Sequence, residues 1–132
     1  MDIATIQIPK IENNLGTIGV VELDVIPFVI KRVYYLYDIP SYAKRGGHAH
    51  KHLEQVLIAV SGSFDVILKD GISEQTITLN KPDKGLLIKS NTWRELENFS
   101  SGAVCLVLAS EAFQEADYIR DFDSFLQSKK NS

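Results

Sequence analysis

From Thr5 to Ala109 the chain is a succession of short β-forming runs, each ended by turn chemistry, and this pattern constrains the fold more than any other feature. Alternating or continuous apolar segments at this spacing point to an all-β sandwich or barrel. The predicted strands are Thr5 to Ile11, Val20 to Val25, Phe28 to Ile39, His48 to Val60, Phe64 to Lys69, Glu74 to Leu79, Gly85 to Lys89, Trp93 to Asn98 and Ala103 to Ala109. Asp70-Gly71 is the sharpest hairpin signal, because glycine accepts the positive φ of a tight turn. Only the end changes period. Tyr118, Ile119, Phe122, Phe125 and Leu126 recur at helical spacing, which predicts an amphipathic helix packed outside the sheets with Asp117 as its cap.

At 132 residues and 45% hydrophobic content, the expectation is one domain spanning residues 1–132, with a single core. The net charge of −3 comes from interspersed residues with no basic run beyond Lys129-Lys130, so nucleic acid is not the expected partner. Val56 to Val60 and Ala103 to Ala109, the longest apolar stretches, are far short of a bilayer span. Met1 to Lys10 lacks the pattern of a secretion signal, and the single cysteine, Cys105, agrees with a reducing compartment, so a cytoplasmic protein is expected. Apolar surroundings make Cys105 a core thiol.

Residues 45 to 51 read Arg45-Gly46-Gly47-His48-Ala49-His50-Lys51. Side chains two apart on a strand share a face, so His48 and His50 stand side by side. Such a pair suits either a metal site or proton transfer. If the strand continues unbroken, His52, Glu54, Val56, Ile58 and Val60 extend the same face. His48, His50, Glu54 and Gly62 then resemble the first motif of the cupin family, with the spacer to Gly62 one residue longer than usual. In metal-binding cupins a second motif supplies a further histidine. The matching stretch here, Gly85 to Leu96, has none and carries Arg94, a cation that would repel a divalent ion. A neutral imidazole, with a reference pKa of about 6.5, can instead accept a proton near neutral pH. Lys31 to Tyr37 offers phenols and an arginine, Arg32 and Tyr34 on one strand face and Tyr35 and Tyr37 on the other; spacing does not say which face looks inward.

Taken in order, Ile30 to Tyr35, Arg45 to Lys51, Leu53 to Leu57, Trp93-Arg94-Glu95, Asn98 to Ser101 and Asp117 to Arg120 resemble the dTDP-4-keto-6-deoxyglucose 3,4-ketoisomerases. That resemblance implies a cupin fold (a double-stranded β-helix, or jelly-roll barrel) with a short C-terminal helix. It also implies an isomerase with no metal and no cofactor, acting on a dTDP-linked 4-keto-6-deoxy sugar as a homodimer with exchanged strands. By the same resemblance His48 is the base at C3, Tyr34 passes protons between the sugar oxygens, and His50 assists the transfer or polarises the carbonyl. Arg32, Arg45, Lys51 and Arg94 are expected to hold the diphosphate. Trp93 is a candidate to stack on thymine or the sugar, with a plain buried indole as the other reading. His52 is expected at the surface, Glu54 in a supporting role, and Tyr35 and Tyr37 in the core. The residues leave three competitors: a metal-dependent cupin enzyme, a dTDP-sugar 3,5-epimerase, and a sugar-nucleotide binder without turnover.

Overall fold

The computed structural model describes residues 1–130. Twelve strands form: β1 (Ala4–Gln7), β2 (Lys10–Asn13), β3 (Gly16–Gly19), β4 (Arg32–Leu36), β5 (Arg45–His50), β6 (Gln55–Ser61), β7 (Phe64–Lys69), β8 (Glu74–Leu79), β9 (Lys84–Ile88), β10 (Trp93–Glu97), β11 (Val104–Ala109) and β12 (Tyr118–Ile119). A 3₁₀ turn precedes β12, and helix α1 (Phe122–Lys130) ends the described chain. One five-stranded sheet has the order β1-β9-β6-β11-β4, the other β12-β5-β10-β7-β8, and β2 and β3 form a separate ribbon. The pairs within all three sheets are antiparallel.

Alternation explains the main core. Leu57, Ala59, Leu86, Ile88, Cys105 and Val107 of the first sheet meet Phe64, Val66, Leu68, Leu79 and Leu96 of the second. Burying a Leu, Val or Phe side chain contributes about 1.5–3 kcal/mol, so this interface dominates the stability. Strand β6 is a continuous apolar run because its other face is covered too: Val56 and Ile58 pack with Leu108 beneath Ile8, Ile26 and Phe28. The predicted strand Val20 to Val25 is therefore a correction. That stretch is irregular and belongs to the segment crossing the outside of the first sheet, where burying Val25, Ile26 and Phe28 outweighs strand propensity. On the outside of the second sheet, Phe125 of α1 packs with Ala49, Trp93 and Ile119.

Three further expectations change. The predicted strand His48 to Val60 breaks at residues 51–54, placing β5 and β6 in different sheets. The break is held from a distance: the Asp117 carboxylate accepts the backbone N–H groups of His52 (2.9 Å) and Leu53 (3.1 Å). Asp117 consequently does not cap the helix. Tyr118 and Ile119 pair with His50 and Ala49 as a strand, and Asp121 caps α1 by accepting the N–H of Ser124 at 2.9 Å. Tyr35 and Tyr37 are 59% and 61% exposed, because β4 turns Arg32, Tyr34 and Leu36 inward instead.

Candidate active site

Between the sheets lies a cavity of about 370 Å³, lined among others by Arg32, Tyr34, Arg45, His48, Gln55, Tyr118 and Arg120. It falls within the range of small-molecule sites. Strand β4 brings Arg32 and Tyr34 from one sheet, while β5 brings Arg45 and His48 from the other. A bulge aims the latter pair. His48 lies opposite Arg94 and Arg45 opposite Leu96, so β5 spends one residue more than β10 over the same span. Gly46 takes up the extra residue at φ +94°, a conformation open to glycine. Arg45 thereby joins the same cavity wall as His48.

The two imidazoles meet edge to face with centroids 4.8 Å apart, and the Tyr118 ring lies 5.0 Å from His48 and 4.3 Å from His50. His50 is fully buried, with Nδ1 3.4 Å from Asp117 Oδ2. Behind them sits Arg94, 1% exposed. Its Nη1 donates to Gln55 Oε1 at 2.6 Å and its Nη2 to the Thr92 carbonyl at 3.1 Å. Gln55 Nε2 donates in turn to the Tyr34 hydroxyl at 3.0 Å. At the mouth, the Arg32 guanidinium lies over the Tyr34 ring and that of Arg120 over Tyr118, at 4.3 and 4.0 Å. Glu115 pairs with Arg120, whereas among the described residues no ion pair engages Arg32 or Arg45. The cavity is thus cationic at its entrance and holds neutral acid–base groups inside.

Burial followed by the Arg94 charge pushes the His48 imidazole down to about 2, with His50 and Arg120 acting in the same direction. Burial and Arg94 also lower His50, against the opposing pull of Asp117. Both rings are therefore neutral at pH 7. Desolvation raises the Tyr34 phenol, and the bond from Gln55 works against that rise.

Across residues 1–130 the sequence matches the family described as "FdtA: WxcM-like, C-terminal". The chain belongs to the FdtA family. It is 46% identical over 126 residues to the TDP-4-oxo-6-deoxy-α-D-glucose 3,4-oxoisomerase of Aneurinibacillus thermoaerophilus, covering 95% of this chain and 91% of that one. The crystal structure of a 3,4-ketoisomerase from Helicobacter canadensis superposes with a TM-score of 0.95 at 47% identity, over 98% of both chains. QdtA, a sugar 3,4-ketoisomerase from Thermoanaerobacterium thermosaccharolyticum solved with TDP, gives 0.95 at 42%, over 98% of this chain and 95% of that one. The all-β cupin architecture with its short terminal helix agrees with these matches.

In this FdtA-family chain, the expected residues Arg32, Tyr34, Arg45 and His48 line one cavity, and His50 packs directly behind His48. Three expectations are corrected. Trp93 lies on the opposite face of its strand, its ring 5.2 Å from Phe122 and 5.8 Å from Phe125, with Nε1 donating to Glu95 at 2.8 Å. Lys51 is exposed on the turn after β5, away from the cavity lining. Arg94 is enclosed beneath the histidines, bonded to Gln55 and the Thr92 carbonyl, and is not part of the cavity lining. Glu54 also gives way. Its backbone N–H binds the Ser110 hydroxyl at 2.8 Å, and Gln55 takes the inward position. Counted from Gln55, the spacer to Gly62 loses its extra residue.

Gln55, Asp117, Tyr118 and Arg120 were missed as site residues. The last three lay within a stretch whose helical spacing concealed a strand pairing. As for metal, His48 and His50 are two potential ligands, but Gln55 and Arg94 fill the adjoining positions, and a guanidinium donates hydrogen bonds only. Among the described residues no three His, Cys, Asp or Glu side chains group as a metal site. No helix among them is long and apolar enough to cross a membrane.

The lowered histidines predict a dependence of stability on pH. Folded His48 and His50 stay neutral where the unfolded chain, with histidines near 6.5, binds protons. Their contribution is complete above about pH 6.5 and is lost as pH falls below it. Over the first 1.5 units or so each histidine removes on the order of 2 kcal/mol. Urea unfolding at pH 7 and pH 5 is expected to show a smaller acid loss in His48→Asn than in the wild type. Equal losses would refute the buried neutral ring.

Proposed function

We propose that the chain is a TDP-4-keto-6-deoxyglucose 3,4-ketoisomerase, moving the ketone from C4 to C3 by proton transfer alone. The relatives' activities support the reaction class, and the observation that carries it is the union of His48, Tyr34 and three arginines around one cavity. His48 takes the hydrogen from C3 while Tyr34 gives its proton to the C4 oxygen, leaving an enediol. Tyr34 then recovers a proton from the C3 hydroxyl. The proton held by His48, with His50 adjoining, is delivered to C4. Atoms balance: C3 and its oxygen each lose a hydrogen, C4 and its oxygen each gain one. No electron acceptor is required.

Arg32, Arg45 and Arg120 have the charge and placement to receive the diphosphate. The dianion would also offset the cations that depress His48, making it a better base once substrate is bound. Gln55 and Arg94 beside the histidines favour chemistry without a metal ion. A single domain in the cytoplasm is part of this reading, in keeping with the single cysteine, Cys105, which is unpaired and buried. So is a homodimer, for which the exposed Val33, Tyr35 and Tyr37 and the projecting β2–β3 ribbon with exposed Ile11, Leu15 and Ile18 provide apolar surface. A 14.8 kDa particle in sedimentation at micromolar concentration would remove the dimer.

The deciding experiment is incubation with TDP-4-keto-6-deoxyglucose in deuterated water, followed by NMR of the product. The ketone at C3 is expected, with deuterium at C4 in the fraction of turnovers in which the proton on His48 exchanges with solvent before its return. Recovery of unchanged, unlabelled sugar would sink the proposal, and exchange at C3 and C5 without ketone movement would indicate an epimerase.

A further inference from the structure

We propose that Gln55 is a positioning residue: clamped by Arg94, its amide fixes the direction of the Tyr34 hydroxyl, so that the phenol enters the reaction as a proton donor. This inference rests on the ketoisomerase reading and adds to it what orients the shuttle.

The polarity follows from inventory. A guanidinium has no acceptor, so the Gln55 atom 2.6 Å from Arg94 Nη1 must be the amide oxygen. The other end is therefore the NH₂ group, and it stands 3.0 Å from the Tyr34 oxygen. That oxygen accepts, leaving the hydroxyl hydrogen to point elsewhere. Tyr34 lines the cavity, so the proton is available to a ligand there. Burial enforces the arrangement. Arg94 is 1% exposed and Gln55 3% exposed, so reversing the amide would strand two polar groups away from water.

Direction matters because the first act asked of Tyr34 is donation. As the C3 hydrogen leaves, charge gathers on the C4 oxygen, and a phenol whose hydrogen was held by an amide oxygen could not neutralise it. Once the proton has gone, the same Gln55 N–H remains bonded to the phenolate oxygen. Such preorganised donors need no rearrangement during the reaction.

Gln55→Glu keeps a partner for Arg94 but offers Tyr34 an acceptor, turning its hydrogen away from the cavity. Gln55→Met removes the amide. With TDP-4-keto-6-deoxyglucose, Gln55→Glu is expected to lower kcat by about 10²-fold with KM changed by less than about threefold. In a Tyr34→Phe background the same substitution should alter kcat by less than about twofold, because the group it acts through is gone. A merely structural role would multiply the two losses. Tyrosine ¹³Cζ NMR supplies a measurement independent of turnover. The Tyr34 titration midpoint should rise from wild type to Gln55→Met and again to Gln55→Glu. A midpoint lower in Gln55→Met than in wild type, an undiminished kcat in Gln55→Glu, or multiplied losses would overturn the proposal. If the midpoints follow this order while the wild type leaves the sugar unchanged, the amide's orientation stands and the ketoisomerase reading alone falls.

Discussion

His48→Asn is expected to lower turnover by about 10³-fold while leaving TDP affinity within about threefold of wild type. The amide approximates the size of the ring and keeps a polar edge toward the cavity, but it cannot take up a proton near neutral pH. The arginines at the entrance are untouched, so the diphosphate should bind as before. Product NMR for the rate and calorimetry with TDP for binding separate the two effects. A variant retaining more than about a tenth of the wild-type rate would remove His48 as the base, since a positioned acid–base group contributes typically 10²–10⁴-fold.

The second large effect concerns stability. Gly62 joins β6 to β7 at φ +67°, and a Cβ there would lie 2.5 Å from Ser100 Oγ and 2.8 Å from the Ala103 Cα. The hydroxyl could turn aside, although it accepts the Ser63 N–H at 2.8 Å. The Ala103 backbone could not, since its N–H is bonded to the Ser100 carbonyl at 3.1 Å and Ser100 in turn to Ser63. Backbone strain and overpacking together should make Gly62→Ala less stable by about 3 kcal/mol. For a domain of this size that lowers Tm by roughly 10 °C, measurable by calorimetry. A loss below about 1 kcal/mol would mean that the β6–β7 and 100–103 turns separate readily.

These two positions also mark what could be read from the residues. Strands β7 and β8 agree with expectation at both ends, because Phe64 to Lys69 and Glu74 to Leu79 flank the Asp70-Gly71 turn, a local signal. Asp70 closes that loop by accepting the N–H groups of Ile72 and Ser73. Histidine pairing along β5 was equally local, since two-residue spacing alone puts His48 and His50 together. Distant partners decided the rest. No glycine or proline marks residues 51–54 as a break; Asp117, 65 positions beyond His52, imposes it. Tyr118 and Ile119 satisfy helical spacing, yet pairing with β5 claims them. Trp93 and Arg94 differ by one residue, and only the sheet says which of them faces the histidines.

The turn at residues 51–54 divides the chemistry between the sheets, with His48 on one and Tyr34 and Gln55 on the other. His48 and Tyr34 thus face each other from two different sheets. Leu86→Ala, in the buried core between the sheets, is expected to lower turnover by loosening one cavity wall against the other, whereas Leu57 lines the cavity itself. Turnover then becomes a gauge of how well the interior is filled.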